Sequence, residues 1–446
     1  MAGGHSSQRE IAVATNAPGR PRDPAVDVAV LGAARELLEE RGFHDTSLQA
    51  IARRAGVGTA SIRRRWDTRE DLIEQSLVAV PLPFRAPPEA TLAPALTWWC
   101  RLMVEWSAQP AVRTALPGLL ATYIRDPTRH ERLVESWERP IREEIVALVD
   151  AAGGGRRAVA NDVGGTLFEL LRSAAVLRGL TRGEDGATAY CARTGTVLAA
   201  VAERAAHGAD ARTPRTHRGA TFESPPTRTP DGDHATDDPN GTSEPPHDEL
   251  SRPGRPRLPG IDAAVLRSTR ELLAEVGYAD TTIRAAALRA GVSAPSVYRR
   301  WPTKEDLVEA VILSSDRPLR LAHSGDLRTD LRRWAGTALA WAADPPVRAA
   351  LPGLLSAYLT APERYERLDE RGAGPARQWL DDALDHAVSV GQADPGCDRG
   401  TIYDLLRSAV TFRALTEGDA DGARHLGHIV DALGVVATIP ARAAAG

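Results

Sequence analysis

Cysteine is scarce in this chain, and the three present, Cys100, Cys191 and Cys397, are odd in number and far apart. That excludes a disulfide framework and points to the reduced thiols of a cytoplasmic protein. No stretch approaches the ~18 consecutive apolar residues that a membrane span requires, and Met1–Pro18 holds no apolar run of the signal-peptide kind. Glycine-rich phosphate loops, HExxH helices and nucleophile elbows are missing, so no enzyme class is indicated and no cofactor is implied. Lysine is represented by Lys304 alone, a bias towards arginine that genomic composition suffices to explain. A net charge of −4 gives no global attraction to nucleic acid, so any such function must reside in a local cluster. What is present is an ordinary globular composition, 43% hydrophobic and 26% charged, over 446 residues, too many for one ordinary core.

The strongest feature is a repeat. Residues 19–76, beginning GRPRDPAVDVAVLGAARELLEERGF, match residues 254–311, beginning GRPRLPGIDAAVLRSTRELLAEVGY, with over half of the positions identical at an offset of about 235. The offset persists downstream. Leu116–Leu120 falls on Leu351–Leu355 (both LPGLL), Leu170–Ala174 on Leu405–Ala409 (both LLRSA), and Trp99, Trp106 and Tyr123 on Trp334, Trp341 and Tyr358. The repeating unit is therefore a complete two-part protein of about 190 residues, not a solenoid module. By the same offset, His425 and His428 fall on Tyr190 and Arg193 with no cysteine nearby in sequence, so no metal site is read from them.

Both copies read as all-helical. Val26, Val30, Ala33, Leu37 and Leu38 recur at helical spacing up to Gly42, a good residue for ending a helix. A second helix is expected to start at Thr46, forming a capping box with Gln49, and to end near Gly56. A third runs through Ser61–Trp66, and a fourth follows Thr68, capped with Asp71. The second copy repeats this around Gly277, Gly291 and the Thr303/Asp306 pair. Amphipathic stretches without strand-type alternation cover roughly 90–150, 160–206, 325–390 and 398–438.

Two short helices joined by a glycine turn are the unit that places a helix in the DNA major groove. Here they are Thr46–Ala55 and Thr59–Trp66, and again Thr281–Ala290 and Ala294–Trp301. Arginines 53, 54, 63, 64, 65 and 69 face Asp45 and Asp67 in the first, while Arg284, Arg289, Arg299, Arg300 and Lys304 face Asp280 in the second. Each is a local excess of about +4, the footprint that phosphate binding requires. A single such arginine reads equally as a solvated helix face; two clusters at equivalent places carry the argument.

The segments GFHDTSLQAIARRAGVGTASIRRRWDTREDL and GYADTTIRAAALRAGVSAPSVYRRWPTKEDL resemble the N-terminal domain of the TetR family of repressors. The downstream halves resemble that family's helical effector and dimerisation domain. The resemblance implies an all-α fold of two tandem TetR-like units, each a three-helix helix-turn-helix domain followed by an effector/dimerisation domain. Expected boundaries are a disordered tail at 1–18, domains at 19–76 and 77–206, a flexible linker at 207–253, and domains at 254–311 and 312–441. The implied partner is double-stranded DNA carrying a pseudo-palindromic operator, and the family default is repression.

The resemblance places Thr282, Arg284, Ser293, Pro295, Ser296, Tyr298, Arg299 and Lys304 where the family contacts DNA, with Tyr298 and Lys304 at phosphates. In the first copy the corresponding set is Ser47, Gln49, Thr59, Ser61, Arg63, Arg64 and Arg69. That copy departs from the pattern: Gly58 stands for Ser293, Ala60 for Pro295 and Arg63 for Tyr298. Trp66 and Trp301 are read as packing residues. The GRPR arms put Arg20, Arg22, Arg255 and Arg257 on an extended backbone suited to the minor groove, or merely leading into the first helix.

A small-molecule effector is implied for the C-terminal halves. Candidate pocket residues are Trp99, Trp106, Tyr123 and Arg172, with Trp334, Trp341, Tyr358 and Arg407; core packing is the plainer reading of the aromatics, and a core carboxylate the plainer partner of each arginine. The Leu116-Pro117-Gly118 and Leu351-Pro352-Gly353 triplets are expected to interrupt or kink a helix. With two heads and two dimerisation domains on one chain, intramolecular pairing as a covalent pseudo-dimer is the economical expectation. A linker of about 47 residues has an r.m.s. reach of ~35–40 Å, enough for that pairing. The alternatives are a homodimer with four heads, or a corepressor-type interaction protein with one inactive head.

Overall fold

The computed structural model describes residues 23–78, 86–87, 90–153, 157–208, 259–314, 321–418 and 422–440. Among them there is no strand, only an isolated bridge between Cys397 and Pro440. The GRPR arms and nearly all of the expected tail and linker lie outside the described residues. Two compact units divide the chain: Met1–Leu82 with Gln109–Leu119, and Pro83–Ala108 with Leu120–Gly446.

In the first unit, Asp23 caps α1 (Pro24–Asp45) by accepting from the Ala25 amide, with Pro24 in the first turn where its missing N–H costs nothing. Gly42, at φ +83°, breaks that helix as only glycine does cheaply. α2 (Leu48–Arg54) starts two residues later than expected. Its cap is Ser47, whose hydroxyl accepts from the Ala50 amide. Thr46 instead donates its hydroxyl to the Gly42 carbonyl at 2.7 Å, satisfying an acceptor that the break in α1 leaves over. Gly56, at φ +67°, turns the chain into α3 (Thr59–Arg63). The cap of α4 (Arg69–Val78) is reciprocal, Thr68 N donating to Asp71 and Asp71 N to the Thr68 hydroxyl. Val30, Leu37, Ile51, Ile62, Trp66 and Leu72 form the core of this head.

The second unit holds the first effector domain and the whole second copy. α5 (Leu92–Ala108), α6 (Pro110–Arg125, whose first turns belong to the first unit), α7 (Pro127–Leu133), a π-helical turn at Val134–Glu138, α8 (Arg139–Ala152), α9 (Arg157–Arg182) and α10 (Ala187–Gly208) precede the undescribed stretch. α11 (Pro259–Asp280), α12 (Ile283–Arg289), α13 (Ala294–Tyr298) and α14 (Lys304–Ser314) repeat the head. α15 (Leu327–Ala343), α16 (Pro345–Thr360), α17 (Pro362–Ser389), α18 (Arg399–Thr416) and α19 (Gly422–Val436) repeat the effector domain. α9 and α10 pack against α18 and α19, and one continuous apolar cluster runs through both effector domains. Across that contact the Glu169 carboxylate accepts from His425 at 2.8 Å and the Arg172 guanidinium sits 4.6 Å from the Phe412 ring centre. All three cysteines are free and buried.

The prolines of the LPG triplets do not interrupt their helices: α6 continues through Pro117 and α16 through Pro352. The glycine beside each is the informative residue. A Cβ on Gly118 would lie 2.1 Å from the Phe43 ring, and one on Gly353 would lie 2.0 Å from the Tyr278 ring. Each helix is thus notched to seat the aromatic that follows the break in the head's first helix. Gly353→Ala is expected to destabilise the chain by ~1–3 kcal/mol through overpacking. In a Tyr278→Ala background the same change should cost little; equal costs in both backgrounds, measured by denaturant melts, would refute the notch.

His130 is buried against the Tyr123 ring, and burial, together with the nearby Arg172 charge, lowers its pKa to about 4. The unfolded chain, with an ordinary histidine, takes up the proton first, so stability present above pH ~6.5 drains away towards pH 4, by up to ~3 kcal/mol. His130→Tyr should flatten that acid limb in thermal melts between pH 7 and pH 4.5.

Candidate nucleic-acid interface

In each head the two short helices are held by a small core and by ion pairs to the first helix. Arg65, just past α3, pairs with Asp27 on α1 at 2.6 Å and donates to the Ser61 hydroxyl at 2.7 Å. Arg300 pairs in the same way with Asp262 and Ser296. Arg54 bonds to Glu36 and Glu40, and Arg289 to Glu275. These arginines fasten the recognition helix and its supporting helix to the first helix of the head.

Arg69 and Lys304 are half-buried and tied inward as well. The Arg69 guanidinium donates to the Phe43 carbonyl, pairs with Glu70 and lies 4.4 Å from the Phe43 ring centre. Lys304 donates to the Ala279 carbonyl and sits 4.0 Å from the Tyr278 ring centre; burial holds its ammonium below the ordinary lysine pKa. Both can stiffen the seam where the first helix of the head ends.

The side chains left facing outward are fewer than the charge count suggested. Arg53, Arg63 and Arg64 are exposed without an ion-pair partner among the described residues of the first head, as are Arg284 and Arg299 in the second. Gln49 and Ala60 are exposed beside the former, and Ser293, Pro295 and Tyr298 beside the latter, with Tyr298 at 43% exposure. Thr59 and Ser61 are half-buried, as are Ser47, which is used as a cap, and Ser296, which accepts from Arg300. Thr282 is exposed while its hydroxyl caps α12 by accepting from the Ala285 amide. Gly58 and Ser293 both occupy the cap position of the recognition helix, and neither supplies a side-chain cap. Ser293 is exposed, and its hydroxyl makes no cap bond to α13. Trp66 is buried and donates to Gln75, a packing role as read from the sequence.

The asymmetry extends to a position that charge reasoning passed over. Leu288, 84% exposed, stands where the first head has Arg53. The sequence also concealed Asp27 and Asp262 as the partners of Arg65 and Arg300, although both pairs recur at the repeat offset. That recurrence was the available signal.

Residues 30–75 and 265–311 each match the family described as bacterial regulatory proteins, tetR family, and residues 321–433 match the tetracyclin repressor-like C-terminal domain. A DNA-binding transcriptional repressor TetR of Mycobacteroides abscessus is 30% identical over 175 residues, 38% of this chain and 89% of that protein. This chain belongs to the TetR family. It carries that family's N-terminal domain twice, in an all-α fold. An uncharacterized HTH-type regulator of Bacillus subtilis, YdeS, is 28% identical over 171 residues (38% of this chain, 85% of the relative). SrpR of Pseudomonas putida, also an HTH-type transcriptional regulator, is 27% identical over 162 residues (34% and 70%). A TetR-family structure from Vibrio parahaemolyticus aligns at 19% identity and TM-score 0.26, covering 34% of this chain and 86% of its own.

The division between fastening and outward-facing arginines is testable in this TetR-family head. Arg300→Ala should lower the melting temperature, because Asp262 loses its partner. Arg299→Ala should leave the melt unchanged and reduce the slope of log affinity against log salt by about 1. The reverse assignment of effects in paired melts and salt titrations would sink the distinction.

Proposed function

We propose that this TetR-family regulator acts as a covalent pseudo-dimer: one chain supplies both heads, and its two effector domains pair with each other where a homodimer would pair two chains. The observation that carries this reading is the packing of α9 and α10 on α18 and α19 around a shared apolar cluster. A tether gives the two halves an effective concentration of order mM, which favours pairing within the chain over pairing between chains. Its target is double-stranded DNA with two half-sites, its role repression in the cytoplasm, and it works by binding, not by catalysis. No helix among the described residues is long and apolar enough to cross a membrane.

Relief by a small molecule fits the second copy. Trp334, Trp341, Tyr358 and Arg407 all line one cavity there, together with Ile312 and Leu313 at the end of α14. Arg364 on α17 reaches the head, pairing with Asp306 and, at 3.0 Å, with Glu309. A ligand that moves α17 or α14 would therefore pull on the capping residues of the helix that follows the recognition helix.

The heads are not interchangeable in this reading. Arg63, Arg53 and Ala60 in one answer to Tyr298, Leu288 and Pro295 in the other, so the operator is expected to be an imperfect palindrome. Selection from random duplexes should return two unlike half-sites, and light scattering should give a mass close to 47.7 kDa. A perfect palindrome bound by a species of twice that mass would favour the four-headed homodimer. Tyr298→Ala should weaken operator binding by ~1–2 kcal/mol, the loss of one hydrogen bond to a charged group.

A further inference from the structure

The two effector domains share a design but differ at its centre. In the second copy, α14 to α18 line a partly open cavity of about 180 Å³, with Leu177 and Thr181 of α9 from the first copy on one side. Trp334, Trp341, Tyr358, Tyr365 and Tyr403 share its walls with aliphatic side chains such as Ile312, Leu354 and Val410. Among the described residues its charged lining groups are Arg407 and Asp369, which bond to each other at 2.8 Å. α17 passes this space as one uninterrupted helix and presents Gly372 and Ala373 to it.

About 235 residues earlier, the positions of Gly372 and Ala373 are held by Trp137 and Glu138. There the helix is not continuous: α7 gives way to the π turn Val134–Glu138, which contains both residues, before α8 resumes. The Trp137 indole lies 5.3 Å from that of Trp106, the counterpart of Trp341. Buried Glu138 pairs with Arg172, the counterpart of Arg407. Within this turn Trp137 is half-buried and Glu138 is buried. The first copy thus carries its own indole and carboxylate where the second copy has room.

We propose that the chain has a single effector site, in the second copy, and that the equivalent space of the first is filled by Trp137 with the Arg172–Glu138 pair behind it. The occupant of the open site is an uncharged, planar aromatic molecule. Five aromatic side chains in an otherwise aliphatic lining favour a flat apolar ring system, and the Arg407–Asp369 pair leaves no unmatched charge for an ionic ligand. This rests on the reading of the C-terminal halves as effector domains, and it adds stoichiometry, ligand class and mode of response. A symmetric dimer has two equivalent sites that can couple; one site per DNA-binding molecule gives a Hill coefficient of one.

The probe is prodan, an uncharged naphthyl ketone whose emission shifts to the blue in apolar surroundings. It is titrated into the full-length chain, with stoichiometry read by calorimetry and helicity checked by circular dichroism. The wild type should bind one prodan per chain with a Hill coefficient of one. Gly372→Trp, which copies the first domain's filling residue, should weaken binding at least tenfold while keeping wild-type helicity. Trp137→Gly, which leaves the Arg172–Glu138 pair intact, should raise the stoichiometry to two. Two sites in the wild type, none, or one that Gly372→Trp leaves untouched would overturn the proposal. Operator binding is followed in parallel. One prodan per chain without any change in operator affinity would support the single site and count against ligand relief.

Discussion

The proposed pairing, and the asymmetry it permits, depend on an apolar surface that the two effector domains share. Leu167, Leu170 and Leu171 on α9 and Leu198 and Val201 on α10 belong to the same buried cluster as Ile402, Leu405 and Leu406 on α18 and Ile429 and Leu433 on α19. Removing so much apolar surface from water is the dominant favourable term available to an all-helical chain, at ~25 cal/mol per Å². In a homodimer, identical subunits bury such a surface by two-fold symmetry. In the proposed pseudo-dimer the partner surface is encoded on the same chain, which frees the two halves from having to be identical.

That freedom shows wherever the halves do work other than holding each other. Residues that fasten the heads are duplicated faithfully: the Asp27–Arg65 and Asp262–Arg300 pairs, the Thr68/Asp71 and Thr303/Asp306 caps, and the Phe43–Gly118 and Tyr278–Gly353 seats. Residues that face outward or into the effector space have diverged. Arg63 stands against Tyr298, Arg53 against Leu288, and Trp137 against Gly372. Packing and charge pairing within each copy constrain the first group, because a charge without its partner or an overfilled seat costs stability. The outward-facing arginines of the second group have no such contacts to keep among the described residues.

The electrostatics repeat the point on a smaller scale. Counting charges along the recognition segments gave two similar positive patches. In three dimensions Arg54, Arg65, Arg289 and Arg300 are spent on glutamates and aspartates of the head's first helix, and Arg69 and Lys304 on carbonyls and aromatic faces. The surface left for phosphate is narrower, and it differs between the heads.

The sequence by itself determined what depends on local pattern. Apolar period, capping residues and glycine breaks placed the helices, and the constant offset identified two complete units, because these signals act over a few residues or recur verbatim. It misplaced the cap of α2, since Thr46 and Ser47 are both competent and the choice turns on which hydroxyl reaches the Gly42 carbonyl. It read the LPG triplets as an interruption or a kink; the helices run on through the prolines, and only the packed Phe43 and Tyr278 rings reveal what the glycine beside each accommodates. The partners of Arg65, Arg172 and Arg407 were decided by tertiary structure alone. These are contacts between residues 34 to 38 positions apart, and whether a side chain fills a space or lines it depends on the backbone that carries it, here a π turn in one copy and a straight helix in the other.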